Sequence, residues 1–582
     1  MRSFLPVLVV LIMPGMFSAT PLAGGEATLA PSPGPMHELV TAEGLAATIV
    51  IAAEPDRLEQ HAAGELRDYV RKFTGKELPM VNEPKVPEGF GIWLGQTEKA
   101  RHAGLVPSRE HLGRDGHAVR CNKDGLVLCG TEPLGTLFGV YDVLEREFGV
   151  RWFQPGTPDE FIPKASTLSI GTFDRRVRPS FEFRWIHNSD WSLRQRMNCY
   201  VKVDGQEVGV NWKWHFHTFA ILIPPEEYSE KHPEWFAMID GKRRTYKERP
   251  SHGAQVCTTN PEVIDKLAEG MIEVLDADPS IEIITLSPND GGGFCECPKC
   301  TALDEPERGW FARYSKRLAV LNKEISRRLA EKHPDVLIKV GAYAMYALPP
   351  DIPDWRPEPN QIIQLCHIYF CHNHPITSDK CVAGETYEPS HNFLPNQRFA
   401  DLVREWSGLT DNLFIYEYYA LGGWSKTNML WPMVHTMRHD IPFYRDCGAR
   451  GFYTQVADWP RSPLNYYIAA KLAWNADLDV DWLIDDFCRT FFREAAEPMK
   501  AYLLGLEDVM VQSDRCISYG LRDGRAVRLG PKLFDQPTRD RLRKHLEEAA
   551  ARAASDDVKA RIKPIRDAFD ACEASVLELS GS

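Results

Sequence analysis

The sequence lacks several features that mark common classes of protein. It has no excess of positive charge, since 81 Asp and Glu residues outnumber 68 Lys and Arg residues and give a formal net charge of −13. This balance argues against a nucleic-acid groove or an anionic membrane surface as the partner. The sequence also has no phosphate-binding Gly-Lys-Ser/Thr loop, no His-Glu-x-x-His motif and no Gly-x-Ser-x-Gly motif. Kinases, zincins and α/β-hydrolases are therefore excluded.

Long hydrophobic runs are also absent, with one short exception near the N-terminus. Phe4–Met13 is an apolar run that follows Arg2 and ends at Pro14. It is too short to cross a bilayer, and it is typical of the central part of a secretory signal peptide. We predict a signal peptide over 1–25, a linker over 26–36, no membrane span, and export to the periplasm or the extracellular space.

Aromatic side chains, in contrast, are plentiful, with 15 Trp and 19 Tyr among 582 residues. Sugar-binding sites use such rings because their apolar faces stack on the C–H surfaces of sugars, although many Trp side chains simply fill a core. A hydrophobic content of 43% and a charged content of 26% are ordinary for globular proteins, and the length predicts two to four domains.

Strand and helix patterns alternate through the middle of the chain, which is typical of a parallel barrel. We predict an α/β protein with a (β/α)8 TIM-like barrel over 176–475. A small α/β domain over 37–175 precedes the barrel, and a helical region over 476–582 follows it. Seven strands can be recognised, and the eighth is missed, displaced or absent. The seven are Phe181–Ile186, Trp214–Ala220, Ile281–Ser287, Leu337–Ala342, Ile362–Ile368, Leu413–Tyr418 and Gly451–Gln455.

A cysteine-rich segment resembles the signature of a known family. Leu286–Cys300 reads Leu-Ser-Pro-Asn-Asp-Gly-Gly-Gly-Phe-Cys-Glu-Cys-Pro-Lys-Cys and is similar to the signature of domain-of-unknown-function family 4838, which contains glycoside hydrolase family 163. His232–Phe236, Gln255–Glu262 and Tyr416–Tyr419 agree with the same family. The resemblance implies the barrel fold and, from family 163, an endo-β-N-acetylglucosaminidase activity on complex N-glycans.

The leading domain resembles a second family, the N-terminal domain of α-glucuronidases. The segments that carry this resemblance are Ala62–Pro79, Gly135–Glu145 and Gly149–Trp152. The two resemblances together cover most of residues 45–475. Because one fold serves many chemistries, they imply the fold more directly than the substrate.

Two acidic residues are the predicted catalytic pair. Side chains just beyond the carboxyl ends of barrel strands line the active site, and both Asp290 and Glu417 lie at such ends. On a substrate-assisted route for N-acetyl sugars, Glu417 is the acid/base and Asp290 orients the acetamide. The alternatives are an Asx-capped turn at Asp290 and a structural salt bridge at Glu417. Glu296 is a competing acid, and strand alternation places Tyr416 and Tyr418 on the face opposite Glu417.

Residues near the other strand ends are the predicted substrate-binding set. His215 and His217 are expected on one face of one strand, where sugar contact, packing or metal binding are the alternatives. The full predicted set is Asn289, His215, His217, Trp185, Asn188, Tyr343, His367, Tyr369, Trp424 and Trp459.

The segment Cys295-x-Cys297-x-x-Cys300 is compact enough to bind a structural zinc ion. Cys257, Cys371 and His372 are candidates for the fourth ligand. In an exported protein a disulfide is an equal alternative, and free thiols are a third. Phe370–His374 is a second metal-like cluster, for which a substrate-binding loop is the alternative. We predict no required cofactor.

The sequence therefore predicts an exported glycoside hydrolase, an endo-β-N-acetylglucosaminidase-like enzyme that acts on glycoprotein glycans through two carboxyl groups. The alternatives are a hydrolase directed at uronic acids and a carbohydrate-binding protein with a degenerate barrel. A uronate subsite needs Arg or Lys side chains, and Arg184 and Lys213 are the sequence candidates.

Overall fold

A computed structural model describes residues 27–85, 87–156, 160–186, 189–244, 255–380, 395–419, 432–456, 461–513 and 532–580. The predicted signal peptide and the predicted sugar contacts Asn188, Trp424 and Trp459 lie outside the described residues. Among the helices that are described, none combines the length and the apolar character that crossing a bilayer requires.

The first unit contains a mixed sheet of six strands in the order β10-β5-β6-β4-β2-β3 and two short two-stranded sheets, β1-β9 and β7-β8. Its strands are β1 (His37–Val40), β2 (Ala47–Ile51), β3 (Met80–Asn82), β4 (Phe90–Leu94), β5 (His117–Asn122), β6 (Gly125–Gly130), β7 (Arg151–Trp152), β8 (Glu160–Phe161), β9 (Leu168–Ile170) and β10 (Phe173–Val177). Its helices are α1 (Arg57–Thr74), α2 (Glu98–His102), α3 (Arg109–Leu112) and α4 (Pro133–Arg146).

Helix α1 shows how closely local sequence sets an element in this unit. Asp56 and Glu59 form a capping box at its start, and Gly75 ends it with a φ of 76°, a conformation that favours glycine. Its face that includes Leu66 and Val70 is buried and packs against α4. The amphipathic spacing of apolar residues from Ala62 to Phe73, with Gly75 after them, predicts a helix over Glu59–Thr74, and α1 includes that whole range.

The second unit alternates strands with helices. Its strands are β11 (Phe183–Trp185), β12 (Val201–Val203), β13 (Gln206–Val208), β14 (Trp212–Lys213), β15 (Met238–Ile239), β16 (Lys242–Arg243), β17 (Ile283–Thr285), β18 (Leu337–Ala342), β19 (Gln361–Cys366), β20 (Leu413–Glu417) and β21 (Gly451–Thr454). Its helices are α5 (Asp190–Arg194), α6 (Phe219–Leu222), α7 (Pro225–Tyr228), α8 (Pro261–Ala277), α9 (Pro298–Thr301), α10 (Ser315–Lys332), α11 (Asn396–Ser407) and α12 (Val434–Asp446).

Seven parallel strands form the main sheet of this unit, in the order β11-β21-β20-β19-β18-β17-β14. Phe183 from one outer strand and Trp212 from the other both contact Phe414 in a central strand. These contacts show that the sheet is curled. Ile283 and Ile362 complete the same buried layer inside the curl. The prediction of an α/β protein with parallel strands and helices around them is confirmed.

The two outer strands of the sheet are not paired with each other in the described residues. The segment Asn198–Cys199 lies between them: its two backbone N–H groups donate to the Arg184 carbonyl at 3.2 Å, and Val210 N donates to the Asn198 carbonyl at 2.8 Å. The described residues contain seven strands of this sheet, and a closed ring of eight stays a prediction.

One of the seven predicted strands, Trp214–Ala220, is wrong. Strand β14 ends at Lys213 and α6 begins at Phe219. Between them Trp214 and His217 take φ values of 56° and 54°, which turn the chain instead of extending it. The other six predicted strands overlap the observed ones.

After residue 461 the described chain contains helices only. These are α13 (Pro463–Trp474), α14 (Val480–Phe491), α15 (Ala496–Val511), α16 (Gln536–Arg552) and α17 (Asp556–Ser580). Helix α13 is buried along its whole length, so it forms part of the core and not a separate surface layer.

Buried ion pairs connect the two units and the helices. Glu145 of α4 pairs with Arg196 at 2.5 Å and with Lys471 of α13. Arg184 pairs with Asp115 at 2.6 Å, and both side chains are completely buried. Because these buried charges pair across the junction, the two units share one packed core.

Candidate active site

A cavity of about 270 Å³ lies at the carboxyl ends of the parallel strands. In α/β barrels this is the edge where active sites lie. Five aromatic rings contribute to its wall and several polar groups converge on it, as is usual for small-molecule sites. Its lining residues are Phe216, His217, Ser287, Asp290, Lys339, Gly341, Tyr343, Tyr346, Gln364, Cys366, Ile368, Tyr416, Tyr418 and Gln455.

Asp290 carries the one carboxyl group among the described lining residues. Its Oδ1 accepts hydrogen bonds from Gly291 N at 2.9 Å and from the Tyr343 hydroxyl at 3.3 Å. Burial raises the pKa of Tyr343 well above its usual value, so this hydroxyl stays a donor at neutral pH. Asp290 and Tyr343, both predicted site residues, therefore lie at the same cavity.

The loop of Asp290 is held by its neighbour. Asn289 is buried, and its side-chain Oδ1 accepts a hydrogen bond from Ala220 N at 2.9 Å. Its backbone is fixed by Gln255, whose Nε2 donates to the Asn289 carbonyl at 2.6 Å. Asn289 does not line the cavity. It therefore holds the loop of Asp290 in position and is not the sugar contact that the sequence predicts.

Lys339 and Gln364 supply the polar groups on the strands beneath the cavity. The Lys339 ammonium donates to the His215 carbonyl at 2.7 Å and lies 4.3 Å from the centre of the Phe216 ring. Burial lowers the pKa of Lys339 to about 7. No carboxylate of the described chain lies within ion-pairing distance of it. Gln364 is fully buried, and neither atom of its amide has a hydrogen-bond partner among the described residues.

Glu417 does not face the cavity, so the predicted pairing of Glu417 with Asp290 is not what the structure shows. Its carboxylate is fully buried on the opposite face of β20, where it accepts a hydrogen bond from the Tyr444 hydroxyl of α12 and lies 3.1 Å from His367 Nδ1. The other ring nitrogen of His367 lies 2.9 Å from Asn396 Oδ1. The residues form a hydrogen-bonded core network, which is the structural alternative for Glu417.

His367, His372 and Glu417 offer ligand atoms within 4.8 Å of one another. Both ring nitrogens of His367 already have hydrogen-bond partners, so hydrogen bonding explains why these three side chains lie together. The neighbouring Cys371 and His374 are also buried, and His374 Nε2 lies 2.9 Å from the Ser513 carbonyl. The predicted metal-like segment Phe370–His374 therefore joins the sheet to the C-terminal helices.

The two predicted strand histidines occupy different places. His217 lines the cavity, and its Nδ1 lies 2.9 Å from the Pro288 carbonyl. His215 packs deeper, with its ring centre 3.9 Å from that of Trp185, and burial lowers its pKa well below the usual value. The prediction that they share a strand face is wrong, because the chain turns between them.

The remaining predicted sugar contacts that are described do not line the cavity. Trp185 stacks on Tyr453 below it, at 4.2 Å between ring centres. Tyr369 packs beside Trp310, at 5.0 Å. The competing acid Glu296 is exposed and accepts a hydrogen bond from Asp240 N at 2.8 Å. The uronate candidates Arg184 and Lys213 are also absent from the lining.

Lys339 and Gln364 are not among the predicted site residues, although the sequence carries a signal for both. Each is a polar residue in a strand that is otherwise almost wholly apolar, Leu337–Ala342 and Gln361–Cys366. Interior and exterior residues alternate along a barrel strand, so a polar residue in such a strand is a candidate for the interior face, although Gln361 and Glu417 are polar strand residues that face the helices.

Comparisons with known proteins agree with this architecture. A family model described as a domain of unknown function, DUF4838, matches residues 154–504, and one described as the glycosyl hydrolase family 67 N-terminus matches residues 35–143. No curated protein gives a significant match to the sequence.

Several solved structures resemble the chain in fold. A family GH115 4-O-methyl-α-glucuronidase, BtGH115A, is 12% identical with a TM-score of 0.54, and the match covers 91% of this chain and 72% of that one. The N-acetyl-β-hexosaminidase of Streptomyces plicatus is 12% identical with a TM-score of 0.42, and the match covers 82% of this chain and 94% of that one. At these identities the first likeness establishes the fold, and the second carries no further argument.

Proposed function

The chain belongs to the DUF4838 family, whose model matches more than half of it, and we propose that it is a glycoside hydrolase. The observation that supports this proposal is the cavity at the carboxyl edge of the parallel sheet, which Asp290 lines together with five aromatic side chains. Aromatic faces suit the C–H surfaces of a sugar, and a carboxyl group supplies the proton that the leaving oxygen needs. The fold likeness to a glucuronidase is additional support for glycoside hydrolysis, by analogy of fold.

For the substrate, we propose a β-linked N-acetylglucosaminide in a glycoprotein glycan. The resemblance to glycoside hydrolase family 163 supports it, and so does the single described carboxyl group. A two-carboxylate mechanism needs both acids at the bond to be cleaved, and Glu417 faces away from the cavity. When the acetamide of the substrate acts as the nucleophile, one protein acid/base suffices for proton transfer, and Asp290 takes that role.

A uronide is the second candidate, because Lys339 is an amine without a carboxylate partner among the described residues, and a bound carboxylate would raise its lowered pKa and keep it charged. A buried ammonium beside a sugar pocket would bind the carboxylate of a uronic acid. The matches to a glycosyl hydrolase family 67 N-terminus and to a glucuronidase fold support the same candidate.

The test is turnover of N-acetylglucosaminide, glucuronide and N-glycoprotein substrates by the wild-type chain and by Asp290→Asn. We expect Asp290→Asn to lower kcat by about 10²–10⁴-fold, because the amide cannot donate and recover the proton. Glu296→Gln is the matched control, since this exposed carboxyl group lies on the same loop outside the cavity. Wild-type rates in Asp290→Asn, or binding of glycans without any turnover, would contradict the proposal.

Lys339→Met distinguishes the two substrates. If the substrate is a uronide, this variant loses turnover of glucuronides, because the carboxylate loses its cation. If the substrate is an N-acetylglucosaminide, turnover of that sugar persists.

Export is also part of the proposal, and it rests on the apolar run Phe4–Met13 after Arg2. N-terminal sequencing of protein recovered from the periplasm or the medium tests it. A mature chain that starts near residue 26 is the expected result, and an intact Met1 would contradict it.

A further inference from the structure

Four cysteines from two separate segments converge beside the loop of Asp290. Cys257 comes from the segment before α8, Cys295 and Cys297 come from the segment that leads into α9, and Cys300 lies in α9 itself. Their sulfur atoms all lie within 4.8 Å of one another, and all four side chains are buried. The sequence contains three of these residues in one motif, and the fold selects Cys257 over Cys371 and His372 as the fourth.

The distances between these sulfur atoms match a tetrahedral metal site. Cys257 Sγ lies 3.7 Å from Cys297 Sγ and 3.8 Å from Cys300 Sγ. Four thiolates at the corners of a tetrahedron, each about 2.3 Å from one zinc ion, lie about 3.8 Å apart. A disulfide needs about 2.05 Å between two sulfur atoms, whereas Cys257 Sγ is at nearly equal distances from two.

The surroundings of the four sulfur atoms favour thiolates over buried thiols. Met238 N donates to Cys295 Sγ at 3.3 Å, and Arg243 Nη1 donates to it at 3.6 Å. The Thr259 hydroxyl lies 3.2 Å from Cys300 Sγ. Donors of this kind stabilise the negative charge of metal-bound sulfur and fix its orientation.

The four cysteines also form a small core of their own. The side chains that share it are Ala237, Met238 and Ile239. These few side chains bury little apolar surface, so the hydrophobic effect holds this region only weakly. A metal ion that cross-links the two segments would supply the missing stabilisation.

We infer that Cys257, Cys295, Cys297 and Cys300 bind one structural zinc ion that positions the loop of Asp290. The same two segments carry Gln255 and Asn289, which are joined by the hydrogen bond from Gln255 Nε2 to the Asn289 carbonyl. Zinc therefore fixes the backbone immediately before Asp290 from one side and the chain five residues after it from the other. The positioning role rests on the proposed function, whereas zinc binding does not.

The first test is the metal content of the purified full chain. We expect one zinc ion per chain, released when an organomercurial reacts with the four thiolates. Cobalt(II) in place of zinc should give the intense visible absorption of a tetrahedral thiolate site. A chain without zinc whose four cysteines are joined in disulfides, or remain free thiols that do not bind cobalt, would overturn the inference.

The second test uses Cys300→Ser, with Cys129→Ser as the matched control. Cys129 is equally buried but lies on β6, away from the cluster. We expect Cys300→Ser to lose zinc and to lower kcat with little change in KM, while Cys129→Ser keeps its zinc and its kcat. Normal zinc content in Cys300→Ser contradicts the site, and normal kcat in a zinc-free chain contradicts the positioning role. A wild-type chain that contains zinc but shows no turnover of any glycoside would contradict the proposed function and would leave the zinc site intact.

Discussion

At the scale of single residues, the buried amide of Gln364 destabilises the fold, and a role in binding substrate would explain why it is there. Its amide is buried at the cavity without a hydrogen-bond partner among the described residues, and a buried unsatisfied amide destabilises a fold by about 1–3 kcal/mol. We predict that Gln364→Met unfolds at an equal or higher denaturant concentration, while KM for the sugar substrate rises by about twofold to tenfold, because one hydrogen bond contributes about 0.5–1.5 kcal/mol and 1.4 kcal/mol is a factor of ten.

Gln361 provides the matched control on the same strand. Its amide donates to Ser326 Oγ at 2.9 Å and accepts from Glu358 N at 3.0 Å. Gln361→Met should therefore lower the free energy of unfolding and leave KM unchanged. Equilibrium unfolding and steady-state kinetics measure both quantities. A Gln364→Met chain that is less stable with an unchanged KM would show that the amide has only a structural role.

The sequence alone does not determine which acidic side chain faces the cavity, because that depends on how the sheet curls. Strand alternation correctly separates Glu417 from Tyr416 and Tyr418, but the sequence does not state which of the two faces is the interior. The curl of the sheet decides this, because it turns the face of Phe414 inward. Asp290 is easier to predict, because it lies in the loop after a strand. Such a loop reaches the active-site edge whichever face of the strand is the interior.

At the scale of elements, Glu417 joins strand β20 to helix α12. Its carboxylate is held by Tyr444 and His367, and hydrogen bonds to a buried charge are worth about 1.5–3 kcal/mol. We predict that Glu417→Gln lowers the free energy of unfolding by about that amount and leaves kcat within about twofold. Thermal unfolding and turnover of the same preparation measure both.

Tyr444→Phe serves as the companion variant, since it removes the hydroxyl that donates to Glu417. It should be destabilised by about 1 kcal/mol and fully active. If Glu417→Gln instead lost activity by a hundredfold with an unchanged melting temperature, Glu417 would be catalytic, as the sequence alone suggested.

Elements were predictable where one local pattern determined them. The spacing of apolar residues and the capping signals predict α1, and apolar runs predict six of the parallel strands. Trp214–Ala220 failed because its aromatic residues have high strand propensity, whereas contacts with the next strand end bend it. Thr218 N donates to the Ser287 carbonyl at 3.0 Å, and Ser287 N donates to the Thr218 hydroxyl at 2.9 Å. No local pattern reports such a contact.

At the scale of the whole molecule, the sequence predicts two units but not how they are joined. Glu145 illustrates the difficulty, because it looks like an ordinary charged residue near the end of an amphipathic helix. In the structure it is fully buried and meets Arg196 and Lys471, which lie 51 and 326 residues away along the chain. Long-range charge pairing of this kind has no periodicity, so composition and spacing cannot reveal it.

The junction also predicts how stability depends on pH. Burial alone would raise the pKa of Glu145, but Lys471, Arg196 and Arg151 lower it from 4.5 to about 2. A carboxyl group with a depressed pKa in the folded state stabilises the fold above its unfolded pKa, and this stabilisation is lost as the pH falls toward the folded value. We predict that Glu145→Gln lowers the free energy of unfolding by about 3 kcal/mol at pH 7, and that the difference from wild type shrinks steadily between pH 4.5 and pH 2.

Urea unfolding of both chains at pH 7, 4 and 3 measures this difference, in which the titration of acids that do not contact the Glu145 cluster cancels. Asp204→Asn is the control, because Asp204 forms an exposed pair with Arg57 at 4.0 Å, and exposed pairs contribute about 0–1 kcal/mol. If Glu145→Gln differed from wild type equally at pH 7 and pH 3, the carboxylate would not be the group that the three cations stabilise. The junction would then be held by packing around Trp474, whose ring lies 5.8 Å from Phe138 across the same boundary.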